Sequence, residues 1–312
     1  MEKSFDARKK IFLVMNPKAG KTVGRPTPEK ILSLFPATEY KVKFSLTTGA
    51  GQCPELVRKY APGADAVVCC GGDGTLNETI VGLSLAGLDI PVGYIPMGST
   101  NDLAGTLGIP ANPDGAYDVI KNGHVNEYDT GLFNGRSFSY VACFGPGTAV
   151  SYDTPQFLKN AIGYPAYMIN GFVFNCIPTL RDMKPRHIRI DYDGKTLEDD
   201  FYFGAVSNSV SVAGMFKYDK NDVRLNDGKF ELLLVRRIEH PTELFSMFAK
   251  IVRRDYDGDK LMYFKASHIH MSFLEPERWS VDGEYGGAPL DVDIDVNRRA
   301  LKIFSPESRL FM

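Results

Sequence analysis

The sequence predicts an α/β protein in two parts: an N-terminal domain with a parallel sheet covered by helices, then a β-rich, sandwich-like domain. Three observations carry this. Short apolar runs alternate with helical segments from Lys10 to about residue 95, a glycine cluster joins one of those runs directly to a helix, and from about Asp129 the chain changes to short β segments separated by turn residues. A length of 312 residues suits one large domain or two ordinary ones.

Lys10–Met15 (KIFLVM) is β-rich and runs into the turn-like NPKAGK. Pro28–Leu34 reads as a helix, Tyr40–Leu46 alternates as a strand, Pro54–Tyr60 is helical, and Ala66–Cys70 (AVVCC) is an apolar strand. After GGDG, Thr75–Leu85 places apolar residues at helical spacing, and Val92–Ile95 is the next strand. A parallel sheet of this kind presents its ligand at the carboxyl ends of its strands. The β-rich part reads as Ser137–Cys143, His187–Tyr192, Tyr202–Ser207, Lys229–Val235, Lys265–Phe273, Trp279–Asp282 and Leu290–Val296. Two helices interrupt it, roughly Pro155–Cys176 and Glu239–Arg254. The pattern of Ala300–Ser305 does not by itself say which domain that strand joins. We take the boundaries as 1–129, with 298–312 returning to it, and 130–297.

Composition excludes several functions. With 36 basic and 38 acidic residues there is no overall basic field to hold nucleic acid. Five cysteines, two of them neighbours in an apolar run, are no disulfide framework. The opening MEKSFDARKKIFLVMNP has no long apolar core with a small-residue cleavage site, so the cytoplasm is the expected location. Asn160–Leu180 is uncharged but broken by Pro165, Pro178, Gly163 and Gly171, so no membrane-spanning helix is expected. Its Tyr164, Tyr167, Met168, Phe172, Val173 and Phe174, flanked by Lys159 and Arg181, suit either an apolar wall for a lipid or a core hairpin of helices.

The sharpest local feature is Gly71-Gly72-Asp73-Gly74-Thr75-Leu76-Asn77-Glu78, set between the strand AVVCC and a helix. Glycines let backbone amides approach a ligand, and the helix N-terminus adds unpaired N–H groups and positive partial charge, so phosphate is the natural guest. Taken alone, the cluster is also compatible with a tight turn in which Asp73 or Thr75 merely caps the helix. Gly20-Lys21-Thr22 is not the end of a P-loop, because the upstream glycine would fall at Met15. The dinucleotide pattern GxGxxG is also absent, which disfavours a redox nicotinamide cofactor.

Together with other segments, GGDGTLNE resembles the bacterial diacylglycerol kinase and sphingosine kinase-like lipid kinases. Asn16-Pro17-Lys18-Ala19-Gly20 resembles their first nucleotide-binding turn and Thr47-Thr48 with Gly51 their second. Gly98-Ser99-Thr100-Asn101-Asp102-Leu103-Ala104 resembles their GTxNDxA segment, and Asn226-Asp227-Gly228-Lys229-Phe230 and Val281-Asp282-Gly283-Glu284 match two distal blocks in order. The match runs from about residue 11 to 304.

The resemblance implies ATP held with Mg²⁺ and a lipid alcohol as acceptor. Amides of Gly72, Gly74 and Thr75 would hold phosphates, helped by the Asn16–Gly20 turn and by Thr47, Asn77 and Ser99. Asp73 and Asp102 would act through Mg²⁺ or water, and Asp282 would be the proton acceptor, oriented by Glu284. A common Asp-Gly turn is the plainer reading of 282–283 taken alone. A structural Mg²⁺ is implied near Asp227, but Arg224 stands where some members carry a carboxylate, leaving Asp222 or Glu231 as substitutes. His268 and His270 share one face of a strand without a third ligand and are given no role.

The implied partners are the lipid and, peripherally, a membrane surface. No nucleic acid is expected and a homodimer stays open. Competing functions are a small-molecule kinase of the NAD kinase type, which shares GGDG, and a non-catalytic nucleotide-responsive lipid binder. The sequence does not name the lipid.

Overall fold

The structure, a computed structural model, describes residues 8–20, 25–145, 184–212, 216–256, 258–306 and 309–311. The helical interruption and apolar wall expected within 155–180 lie outside the described residues. The chain divides into two compact units, one of residues 1–130, 225–227 and 297–312, the other of residues 131–224 and 228–296.

The first unit follows the strand–helix alternation of its sequence. Its elements are β1 (Lys9–Met15), α1 (Pro28–Ser33), β2 (Tyr40–Leu46), α2 (Cys53–Tyr60), β3 (Ala66–Gly71), α3 (Asp73–Ala86), β4 (Val92–Pro96), α4 (Asp102–Leu107) and α5 (Pro113–Asn122). The strands β2-β1-β3-β4 pair in parallel, with Leu13 between Phe44 and Val68. β1, β3 and β4 are buried over almost their whole length, as expected of strands covered on both faces. The final strand, β17 (Asp291–Ser305), joins β4 in parallel through Ile303 and Val92. Caps set several helix starts: the Thr27 hydroxyl accepts the Lys30 N–H, and the Asn112 side chain accepts the Gly115 N–H at 2.7 Å. Burial pushes the thiols of Cys53, Cys69 and Cys70 upward, that of Cys53 to about 11.

The second unit is antiparallel. After β5 (His124–Phe133) come β6 (Arg136–Phe138), β7 (Val141–Phe144), β8 (Arg186–Tyr192), the long β9 (Lys195–Ser207), the short pair β10 (Ser211–Val212) and β11 (Phe216–Lys217), β12 (Phe230–Arg236), α6 (Pro241–Arg253), β13 (Leu261–Ala266), β14 (His268–Phe273), β15 (Trp279–Val281) and β16 (Glu284–Gly287). The strands run β16-β15-β7-β9-β8-β14-β17, with β12 on β9 and β13 on β12. The core centres on Trp279, whose ring lies 5.0 Å from Phe133 and 5.1 Å from Phe144, among Ile188, Leu232 and Met271.

Two strands expected to be continuous are broken, each by a distant carboxylate. Ser137–Cys143 splits into β6 and β7 because the amides of Ser139, Tyr140 and Val141 turn to Asp282. Lys265–Phe273 splits at Ser267, where Asp193 accepts the Ser267 and His268 N–H groups, each at 3.1 Å. Leu290–Val296 and Ala300–Ser305 are instead one strand, β17.

Candidate functional site

In the first unit three strand-end turns press against one another. The Asn16 N–H donates to the Cys70 carbonyl at 2.8 Å and the Met97 N–H to the Gly71 carbonyl at 2.7 Å, so the turns after β1, β3 and β4 are held together. Glycine is required at the contacts: a Cβ on Gly20, at φ 69°, would stand 2.0 Å from the Met97 carbonyl oxygen, and one on Gly98 would stand 2.7 Å from the Gly72 Cα. Asn16 Nδ2 donates to Thr75 Oγ1 at 3.2 Å, tying the first turn to GGDGT.

Asp73 lies at the centre of this group and is buried. Its Oδ2 accepts the Asp102 N–H at 3.2 Å and its Oδ1 the Leu103 N–H at 3.4 Å, so it caps α4 from another segment. The N-cap residue Asn101, at φ 51°, does not cap α4, since its side chain forms a ring with Gly98, accepting the N–H at 2.8 Å and donating to the carbonyl at 2.9 Å. Burial, with Asp73 and Asp102 nearby, pushes the Tyr94 hydroxyl above its ordinary value. The N-cap residue of α3, Gly72, offers no side-chain cap, and the first-turn amides of the helix include those of Gly74 and Thr75.

The remaining candidates divide by what they touch. Thr47 is buried, with its N–H donating to the Met15 carbonyl, while Lys18 and Ser99 are exposed on their turns. The Lys18 and Ala19 amides donate to Asn16, at Oδ1 and the carbonyl, and Pro17 has no N–H; these three shape the turn. Leu76, expected among the nucleotide contacts, has a fully buried side chain, and its N–H donates to the Gly72 carbonyl. Asn77 is half-buried on α3, and Gly71 has no room for a side chain because Thr75 packs 2.5 Å from its Cβ position.

Two residues escaped the sequence reading. Arg25 donates to the carbonyls of Pro17, Lys18 and Gly20, clamping the first turn from outside its motif. No local pattern marks a lone arginine for that task. Glu78, quoted only as part of GGDGTLNE, accepts the Gly51 N–H at 2.7 Å and the Cys53 N–H at 3.1 Å, fixing the entry to α2.

In the second unit Asp282 follows β15 with φ 50°, and its N–H donates to the Val141 carbonyl at 2.8 Å. Its Oδ2 accepts from the Ser139 amide at 2.5 Å, and its Oδ1 from Tyr140 at 3.0 Å and Val141 at 3.1 Å. Burial pushes the carboxyl up to about 6, while the three amides pull it down. Glu284, two residues on, is exposed and lies 3.5 Å from the Arg136 guanidinium. His268 and His270 are engaged by Asp295 at 2.6 Å and Asp293 at 2.7 Å, as suits surface pairs.

Asp222 and Asp227 are both exposed, the first in the second unit and the second in the first. Among the described residues no three histidine, cysteine or acidic side chains are grouped to hold a metal. Arg224 Nη1 donates to the carbonyls of Asn221 at 3.0 Å and Val223 at 2.8 Å, and the Lys265 ammonium donates to the Asp222 carbonyl. The carbonyls of Asn221, Asp222 and Val223 therefore already face two fixed cations, which does not suit a structural Mg²⁺ beside Asp222.

Residues 10–133 match the family model of the diacylglycerol kinase catalytic domain. The chain is 32% identical over 282 residues to a diacylglycerol kinase of Bacillus subtilis (strain 168), covering 89% of this chain and 91% of that protein. It is 34% identical over 302 residues to a diacylglycerol kinase of Staphylococcus aureus (strain bovine RF122 / ET3-1), covering 96% and 93%. A crystal structure of a diacylglycerol kinase from Bacillus anthracis str. Sterne shares the fold with a TM-score of 0.70 at 21% identity, over 97% of this chain and 98% of that one. Full-length relatives, the catalytic-domain match and the glycine-bearing turns around Asp73 agree: the chain belongs to the diacylglycerol kinase family of lipid kinases.

Proposed function

We propose that the protein transfers the γ-phosphoryl group of ATP to the hydroxyl of a lipid alcohol, with diacylglycerol, the substrate in its relatives' names, as the first choice. The observation that carries this reading is the packing of three glycine-bearing turns around Asp73 at the strand ends of the first unit. Phosphoryl transfer asks a protein mainly to position phosphates and neutralise charge. The first-turn amides of α3 at Gly74 and Thr75 hold phosphate oxygens, and Arg25 keeps the Asn16–Gly20 turn in shape beside them. Asp73 and Asp102 are hard oxygen donors that suit Mg²⁺, and Asp73 keeps lone pairs beyond its two amide bonds. When bound with the nucleotide, Mg²⁺ neutralises charge on the transferring group.

The second unit supplies the proton acceptor. Asp282 was the expected base, but it is buried and three backbone amides take three of the about four acceptor positions of its carboxylate. We assign it to fixing the 282–284 turn, and Glu284, exposed on that turn, to accepting the lipid hydroxyl's proton. No helix among the described residues is long and apolar enough to cross a membrane.

The test is transfer of labelled phosphate from ATP to diacylglycerol in mixed micelles with Mg²⁺. Glu284→Gln should lower kcat about 10²–10⁴-fold, the usual worth of a positioned base, with KM for ATP unchanged. A Glu284→Gln enzyme turning over like the wild type, with Asp282→Asn inactive yet folded, would return the base to Asp282. Absence of any phosphorylated lipid from a panel of lipid alcohols would remove the reading altogether.

A further inference from the structure

The poor fit of a divalent ion beside Asp222 has a structural counterpart. Lys265, on β13, donates to the Asp222 carbonyl and stands 3.6 Å from the carboxylate of Glu231, a side chain with no exposure at all. Arg224 gathers the carbonyls of Asn221 and Val223 in the same loop, and Asp219 Oδ1 accepts from both the backbone N–H of Asn221, at 2.9 Å, and its Nδ2, at 3.0 Å. A hard divalent cation asks for six or more oxygens. In this loop the carbonyls of Asn221, Asp222 and Val223 point at a guanidinium and an ammonium, and Asp219 Oδ1 is taken by Asn221.

The register of the sheet extends the consequence. Lys265 pairs with Glu231, Glu231 with Ser207, and Ser207 with Val141, so one row crosses β13, β12, β9 and β7. At the head of that row Val141 donates its N–H to the Asp282 carboxylate and accepts the Asp282 N–H at its carbonyl.

We propose that Lys265 is the resident cation of the second unit. It does with one covalently held charge what the family resemblance assigns to a structural Mg²⁺, holding the 219–224 loop against β12 through Glu231 and steadying the row that carries the Asp282 turn. This half of the protein then needs no divalent ion to keep its fold. The inference rests on the geometry of the second unit alone and stands whether or not the protein phosphorylates a lipid.

The experiment is thermal unfolding of the full chain without nucleotide, so that its outcome is separate from that of the kinase assay. The wild type should unfold at the same temperature in excess EDTA and in millimolar Mg²⁺, and should carry less than stoichiometric metal by elemental analysis. Lys265→Met keeps the apolar stem but removes the ammonium beside the buried Glu231, and should lower Tm by several degrees. Removing both charges, in Lys265→Met with Glu231→Gln, should recover more than half of the loss, because a buried pair is cheaper to delete than to break. A Tm that falls in EDTA and returns with Mg²⁺ equally in the wild type and in Asp73→Asn overturns the proposal, as does one stoichiometric bound metal that Asp73→Asn retains. Should Lys265→Met fail to fold, the chelation and metal analyses still decide. A double variant that loses as much as the single one assigns the lysine no pairing role and also overturns it.

Discussion

Gly98 sits where two turns meet, with its Cβ position 2.7 Å from the Gly72 Cα and 2.6 Å from Asn101 Oδ1. A methyl group there must part the β3 and β4 turns or break the Asn101 ring. Gly98→Ala is expected to lose about 1–3 kcal/mol of stability, the range for overpacking, and to weaken nucleotide binding. Urea unfolding and nucleotide titration measure the two effects, and wild-type values in both would show the turns to be looser than described. Asp282 yields a pH signature. Its carboxyl titrates at about 6 in the fold against 3.8 ordinarily, so between those values the folded state binds the extra proton. The stability this group contributes is fully present below 3.8 and is lost as pH rises through about 6. The difference in unfolding free energy between wild type and Asp282→Asn should therefore grow in favour of the wild type as pH falls through that window; a flat difference would contradict the assignment. At this scale the glycines and Asp73 were legible because chemistry near phosphate demands those residue types at that spacing. Arg25 and the amides of Ser139–Val141 were not: one partner of each contact is a backbone group, to which any residue contributes alike.

Helices α2 and α3 meet at a glycine. A Cβ on Gly82 would stand 2.7 Å from the Val57 Cβ and 3.0 Å from the Pro54 Cα, so the close approach depends on its absence. Alanine in a helix is ordinarily better than glycine by about 1 kcal/mol. Here the clash should win, and Gly82→Ala is expected to destabilise by about 1–3 kcal/mol. Gly105→Ala, in α4 where a Cβ meets nothing within 4 Å, is the control and should be neutral or stabilising in the same urea titration. If both variants gained stability, the tight α2–α3 contact would be refuted. The strands and helices of the first unit were readable because buried parallel strands are continuous apolar runs. The breaks at Ser139 and Ser267 were not, since Asp282 and Asp193 impose them from more than seventy residues away.

For the whole molecule, the chain enters the first unit three times, through residues 1–130, 225–227 and 297–312. The short middle visit is anchored by the Leu225 carbonyl, which accepts the Asp129 N–H, and by the Leu225 N–H, which donates to Leu310. No periodicity announces a three-residue visit, whereas both halves of β17 carry a clear strand pattern and only their continuity was missed. A ligand that binds only the folded state raises stability by about 2.7 kcal/mol at a hundred times its Kd. ATP with Mg²⁺ is expected to raise the Tm of the wild type, and Asp73→Asn to cancel most of that rise while leaving Glu284→Gln responsive. An equal rise in the Asp73 variant would remove that carboxylate from the nucleotide site.

Cys53, Cys69 and Cys70 pack inside the first unit, and burial keeps all three thiols protonated well past neutrality. A thiol without its thiolate hardly reacts with an alkylating reagent. With Cys143 and Cys176 changed to serine, the speed of alkylation at these three positions becomes a clock that ticks only when the sheet and α2 come apart. The buried thiols of the first unit thus form a built-in reporter of its opening, and substrates that tighten this unit should slow their alkylation.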